Sequence, residues 1–172
     1  MQDETKACAG KHIETLGRAL GMEVLIAGRK GETLAPQGRI PFDDMLRRAT
    51  VIILCLPRNP QTLNLLSTAE FAQMSPYAVV INVARGGIVD EAAVVHALKK
   101  GQIAGYAADV FDHEPVEGEG STPLLSEEAR GLNVTMTPHI AWFSQRTLAN
   151  LGRILGDTVE AWMRGEPINV VC

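Results

Sequence analysis

Three apolar runs in this chain each lead into residues able to bind an anion or move a proton. After AVVINV (78–83) comes Ala84-Arg85-Gly86-Gly87; after AGYAADVF (104–111) comes Asp112-His113-Glu114-Pro115; after VTMT (134–137) comes Pro138-His139-Ile140-Ala141-Trp142. A guanidinium can grip a carboxylate through two parallel hydrogen bonds. A histidine whose second ring nitrogen faces a carboxylate can serve as acid and base near neutral pH. Together Arg85, Glu114 and His139 suit a 2-oxo or 2-hydroxy acid. Taken singly, each has an ordinary reading as well: an arginine after a strand as a solvated charge, a histidine before an apolar segment as a structural residue.

The elements around these residues predict how they are positioned. Apolar residues from Ile13 to Leu20 recur at helical spacing and Gly21 follows, so residues 10–20 read as a helix with a glycine stop. EVLIA (23–27) reads as a strand, and PFDDMLRRA (41–49) as a short helix with proline at its entry, acids early and arginines late. VIILCLP (51–57) is a strand stopped by proline, and Ser67-Thr68-Ala69-Glu70 is a capping box that opens a helix through about Met74. AVVINV is again a strand, DEAAVVHALKKG (90–101) a helix with Asp90 near its cap and Gly101 at its end, AGYAADVF a strand, and VTMTP (134–138) the last one. EPVEGEGSTP (114–123) is a polar loop, and Ser144 to Gly165 is an amphipathic helix carrying Leu148, Leu151, Ile154, Leu155, Val159 and Trp162.

Strands that are apolar on both faces and alternate with helices predict a buried parallel sheet with helices on each side, the doubly wound α/β architecture. In such sheets ligands bind at the carboxyl ends of the strands, which puts Arg85, Glu114 and His139 on one rim.

At 172 residues, 46% hydrophobic and 21% charged, the chain is long enough for one good core. A net charge of -4 with scattered basic residues argues against a nucleic-acid partner. Cys8, Cys55 and Cys172 are far apart, with no CxxC spacing, so neither a disulfide framework nor a metal site is expected. MQDETKACAGKH lacks the apolar core of a signal peptide, and no apolar run is long enough for a bilayer. A soluble, cytoplasmic protein with no membrane partner is expected.

NVARGGIVDEAAVVHAL, GYAADVFDHEP and TPHIAWFSQRT, in this order and spacing, closely resemble the signature stretches of the D-isomer-specific 2-hydroxyacid dehydrogenase family. LCLPRNPQTLNLLS resembles a fourth, where the family's chain passes the cofactor ribose. The resemblance covers nearly the whole chain from about Gly10 onward, and HIAW with a following serine, together with the GRKG turn, is most similar to the glyoxylate/hydroxypyruvate reductase or glycerate dehydrogenase branch. It implies a Rossmann-like sheet binding NADP or NAD. It implies Arg85 as the residue that binds the substrate carboxylate and polarises its carbonyl, His139 as proton donor in reduction, and Glu114 as the group that orients His139 and raises its pKa. Asp109 matches the residue that holds the nicotinamide carboxamide; Leu56-Pro57 and Val83-Ala84 match backbone lining the cofactor. The intact family member is expected to be a homodimer. His12, His96 and His113 have no motif role and read as surface or structural.

A dinucleotide site that prefers NAD normally ends its second strand with an acid for the ribose hydroxyls. Here that strand ends Ala27-Gly28-Arg29-Lys30, and two cations where the acid should stand favour NADP, although an ordinary basic surface turn reads the same way. The family's GxGxxG turn falls on Thr5, Ala7 and Gly10, so only the last glycine survives, and MQDE is too short and polar for the first strand. The sheet is therefore expected to be incomplete, with 1–143 a partial dinucleotide-binding domain and 144–172 a helix and tail that in the family cross back to a substrate domain. With that domain absent, this chain alone is expected to turn over little or nothing. Two other functions stay open: a non-catalytic dinucleotide-sensing module of the co-repressor kind, and a subunit acting only through assembly.

Overall fold

The computed structural model describes residues 8–170, with the side chain of Cys8 left aside. Thr5 and Ala7 lie outside the described residues. Two compact units divide between Pro138 and His139.

The first unit holds α1 (Cys8–Ala19), α2 (Phe42–Arg48), β1 (Val51–Leu54), α3 (Thr68–Phe71), β2 (Val79–Asn82), α4 (Glu91–Lys99), β3 (Gly105–Ala108) and β4 (Val134–Met136). The four strands form one parallel sheet in the order β1-β2-β3-β4. Register places Ile52 beside Val80 and Val80 beside Tyr106, so Ile52, Leu54, Val80, Asn82, Tyr106 and Ala108 share a face, and all of them are buried. Phe71 of α3 and Val94 of α4 join them in one core with no solvent exposure. Fully burying a side chain of this size contributes about 1.5–3 kcal/mol.

Local signals end the elements where expected. Pro41 stands at the cap of α2, with Asp43 and Asp44 in its first turn and Arg47 and Arg48 in its last. The capping box is present: the Ser67 side chain receives the Glu70 N–H, and Ser67 N–H donates to Glu70 Oε2 at 3.0 Å. Asp90 caps α4 by accepting from Ala93 N at 3.0 Å, and Gly101 turns out of the helix with φ +65°.

Three expectations need correction. EVLIA (23–27) forms no ladder: only Ala27 pairs, in a single parallel bridge with Ile40. Among the described residues no strand stands beside it, and a strand needs a neighbour's N–H and C=O row to be one. The helix at Ser67 ends at Phe71 instead of Met74; bonds from Gln73 to Glu70 and Met74 to Phe71 tighten the chain, and Pro76 prevents continuation. Burial on both faces of the sheet is only half met. Along β1 burial alternates, and Val51 is 39% and Ile53 37% exposed on the face opposite Ile52 and Leu54.

The second unit is led by α5 (Gln145–Met163), capped by Ser144, whose hydroxyl accepts from Thr147 N at 3.1 Å. Its expected apolar stripe is exposed, with Leu155 at 63% and Trp162 at 72%. No helix among the described residues is long and apolar enough to cross a membrane.

Candidate active site

Because the sheet is parallel, the carboxyl ends of its strands form one rim, and the chain leaves each strand there. At the end of β2 the buried Asn82 side chain shapes the exit: it accepts from Ala84 N at 3.1 Å and donates to Arg85 O at 3.0 Å. Arg85 is exposed and its Nη1 donates to Ala84 O at 2.6 Å, which steers the guanidinium while leaving its fork toward solvent. Gly86 follows because nothing larger fits: a Cβ there would lie 1.7 Å from Phe111 O. Gly87 has φ +73°, and a Cβ on it would meet Asp112 Oδ1 at 2.8 Å. The Arg85 loop is thus in backbone contact with the loop that leaves β3.

That second loop carries Asp109 and Glu114. Asp109 is 4% exposed; its N–H donates to Asn82 O at 3.0 Å and its carboxylate accepts from the Thr137 hydroxyl. Glu114 turns back on its own loop, Oε1 accepting from Phe111 N at 2.8 Å. Arg58, beyond the end of β1, reaches Asp112 Oδ1 at 3.3 Å, while His113 is 88% exposed and His12 and His96 also lie on the surface. Arg85, Asp109 and Glu114 are therefore brought to one rim in the first unit.

His139 opens the second unit. Its backbone is left-handed, φ +55°, a region that residues with a Cβ rarely occupy, and the Trp142 ring N–H donates to its carbonyl at 2.8 Å. The Trp142 and Phe143 rings meet edge to face at 5.6 Å just ahead of α5.

Of the residues expected to line a cofactor, Gly10, Gly28, Arg29, Lys30, Leu56, Pro57, Val83, Ala84 and Asp109 lie in the first unit and His139 in the second. Gly10 sits in α1, where a Cβ would reach Cys55 Cβ at 4.0 Å, beyond the end of β1. Gly28 is tighter, with Ala35 Cβ and Ile40 O both 3.3 Å from a Cβ, and its N–H donates to Ile40 O at 2.8 Å. Arg29 is exposed. Lys30 is engaged elsewhere: Nζ lies 2.8 Å from Glu70 Oε1 and donates to Leu65 O at 3.1 Å, and Glu70 is only 6% exposed. Leu56 is half-buried against the core, Pro57 O accepts from Thr62 Oγ1 at 2.8 Å, Val83 is 41% exposed and Ala84 is buried. No group of His, Cys, Asp and Glu among the described residues could hold a metal ion.

Sequence reasoning missed Asn82, Glu91 and the Lys30–Glu70 pair. Glu91 and the Lys30–Glu70 pair act across a distance in sequence that periodicity does not report. Asn82 had a local signal, a polar residue inside an apolar strand run. Burial together with a hydrogen bond from Asn82 and the nearby charge of Glu91 governs Tyr106: burial pushes its phenol well above the ordinary range, Asn82 opposes this, and Glu91 adds to it.

The sequence pattern of the D-isomer specific 2-hydroxyacid dehydrogenase NAD binding domain matches residues 8–141. A glycerate dehydrogenase of Methylorubrum extorquens is 38% identical over 162 residues, 94% of this chain and 49% of that protein. The solved structure of a D-isomer specific 2-hydroxyacid dehydrogenase from Lactobacillus delbrueckii ssp. bulgaricus, in its NAD complexed form, is similar at a TM-score of 0.78 and 26% identity, over 93% of this chain and 52% of that one. An acyclic imino acid reductase in complex with NADPH and D-Arg is similar at a TM-score of 0.77 and 26% identity, over 95% of this chain and 50% of that one. The chain spans about half the length of the curated relatives it matches. Pattern and parallel sheet agree, and the chain belongs to the D-isomer specific 2-hydroxyacid dehydrogenase family, whose NAD-binding domain it carries.

Proposed function

We propose that this chain is the cofactor half of a reductase for small D-2-hydroxy acids of the glyoxylate and hydroxypyruvate kind, using NADPH in preference to NADH. The observation that carries the reading is the lock between the Arg85 and Glu114 loops, where Gly86 admits the carbonyl of Phe111 and presents an exposed guanidinium on the rim. In this reading Arg85 binds the carboxylate and polarises the 2-oxo group, His139 delivers the proton, and Glu114 takes the part of the orienting carboxylate. The nicotinamide supplies hydride when bound.

The turn at 27–30 fits such a group. A Cβ on Gly28 would crowd Ala35 Cβ and Ile40 O at 3.3 Å, and Arg29 stands exposed beside it with no acid among residues 27–30. Because Lys30 is held by Glu70, the 2′-phosphate preference is assigned to Arg29, which can form a charge-assisted bond with it.

Fluorescence titration of the purified chain with NADPH and with NADH tests this. Tighter NADPH binding is expected, with the preference falling about tenfold in Arg29→Ala, the loss of roughly 1.4 kcal/mol that one charge-assisted bond represents, and unchanged in Lys30→Ala. Equal binding of both cofactors, or a preference moved by Lys30→Ala, refutes the assignment. In the full-length protein, Arg85→Ala is expected to lower kcat/KM for hydroxypyruvate by about a hundredfold, roughly 2.7 kcal/mol of transition-state stabilisation. Unchanged turnover would refute the role of Arg85.

A further inference from the structure

Glu91 is the first residue of α4, yet its carboxylate does not serve that helix. Asp90 already caps it, by the bond from Ala93 N at 3.0 Å. The oxygens of Glu91 go instead to two distant loops. Oε1 accepts from Asp112 N at 2.9 Å, and Oε2 takes the hydroxyl of Thr122, which itself accepts from Leu124 N at 3.2 Å. Glu91 is 9% exposed and Thr122 3%. A carboxylate taken out of water is strongly unfavourable unless its lone pairs are used, so these bonds are what make the burial tolerable.

The position of that link matters. Asp112 directly follows Phe111, whose N–H holds Glu114 Oε1 at 2.8 Å and whose carbonyl packs on Gly86. Glu91 follows the Arg85 stretch in sequence and ties its helix to the Glu114 loop. A stabilising acid at a helix start would sit near the first amides of its own helix; this one is spent on the neighbouring loop.

We propose that Glu91 is a positioning residue for the reaction, a buried acceptor that clamps the Glu114 loop against the Arg85 loop and thereby sets where Glu114 stands. This rests on the reading of Arg85 and Glu114 as residues of the active site. Glutamine can replace the function, since it can accept from Asp112 N–H and donate to the Thr122 hydroxyl; methionine, of similar size, can do neither.

The test uses the purified full chain as wild type, Glu91→Met, Glu91→Gln and Glu114→Gln. Turnover of hydroxypyruvate is measured in the full-length protein as kcat and KM separately, and amide exchange is followed at Phe111, Asp112 and the core residue Val80. Expected in Glu91→Met is exchange at Phe111 and Asp112 faster by about tenfold or more, with Val80 still protected. In the full-length protein kcat for hydroxypyruvate is expected to fall about tenfold in Glu91→Met, toward that of Glu114→Gln, because the Glu114 carboxylate is displaced from its place on the rim. Glu91→Gln is expected to match wild type in both. A kcat lowered by Glu114→Gln but not by Glu91→Met overturns the clamp alone. A kcat lowered by neither overturns the reading of Glu114 as a residue of the site, and the clamp with it. If Glu91→Met does not fold, as exchange at Val80 would show, Thr122→Val removes one of the two tethers and is read by the same criteria.

Discussion

At the residue scale, the rim is defined by atoms that leave no room. Gly86 is the tightest case, since the place of its missing Cβ is 1.7 Å from Phe111 O. Gly86→Ala therefore cannot be absorbed by a rotamer change; the two loops must separate. Overpacking of this kind costs about 3 kcal/mol, and the loss is expected in the denaturation midpoint together with weaker cofactor binding. A variant as stable as wild type would mean the loops part freely. Lys30→Ala belongs to the same scale for a different reason. It leaves Glu70, buried in the capping box, without its cation, while Lys30 itself is 41% exposed, so about 1 kcal/mol of stability is expected to be lost. Urea unfolding measures it, and an unchanged midpoint would show that solvent replaces the lysine.

At the element scale, the helices begin where side chains can replace missing backbone partners. Asp90 does this twice over: Oδ1 receives Ala93 N at the start of α4, and Oδ2 receives Ser67 Oγ, the cap of α3, at 2.9 Å. Asp90→Ala removes a cap and a side-chain link, and about 2 kcal/mol of destabilisation is expected. Its signature is loss of amide protection at the starts of α3 and α4 together. Loss confined to α4 would show that the bond to Ser67 contributes nothing. These caps, with Pro41 and Gly101, were legible in the sequence because a cap is decided by residues one to three apart. The strand at 23–27 was misread, because a strand is decided by its neighbour and only Ile40 bridges to it. The short α3 shows the same limit from the other side: its start was written in the capping box, its end by Pro76 and the turns before it.

At the scale of the whole molecule, the buried face of the sheet couples stability to pH. Burial holds the phenol of Tyr106 neutral, with its folded pKa raised above the ordinary value of a tyrosine, Asn82 opposing the rise and Glu91 adding to it. A group with a raised folded pKa contributes stability that is complete below its unfolded pKa and is lost as pH rises through that value toward the folded one. Stability is therefore expected to decline above about pH 10. In a Tyr77→Phe background, tyrosinate absorbance is expected to appear only with unfolding. Ionisation of Tyr106 while the fold persists would contradict this.

What the sequence determined by itself is the family, the alternation of strand and helix, and the placing of Arg85, Glu114 and His139 just past strand ends. Each is local: long motifs in order, apolar runs bounded by turn residues, and the rule that a parallel sheet delivers its loops to one rim. Only tertiary structure decided which charges are spent. Lys30 reads as a cofactor cation until Glu70 is found against it, and Glu91 reads as a first-turn acid until its oxygens are found on Asp112 and Thr122. The one-sided cover of the sheet is of the same kind. Hydrogen bonds and burial between residues 21, 31 or 35 positions apart leave no periodicity in the chain, because they are set by how the elements pack.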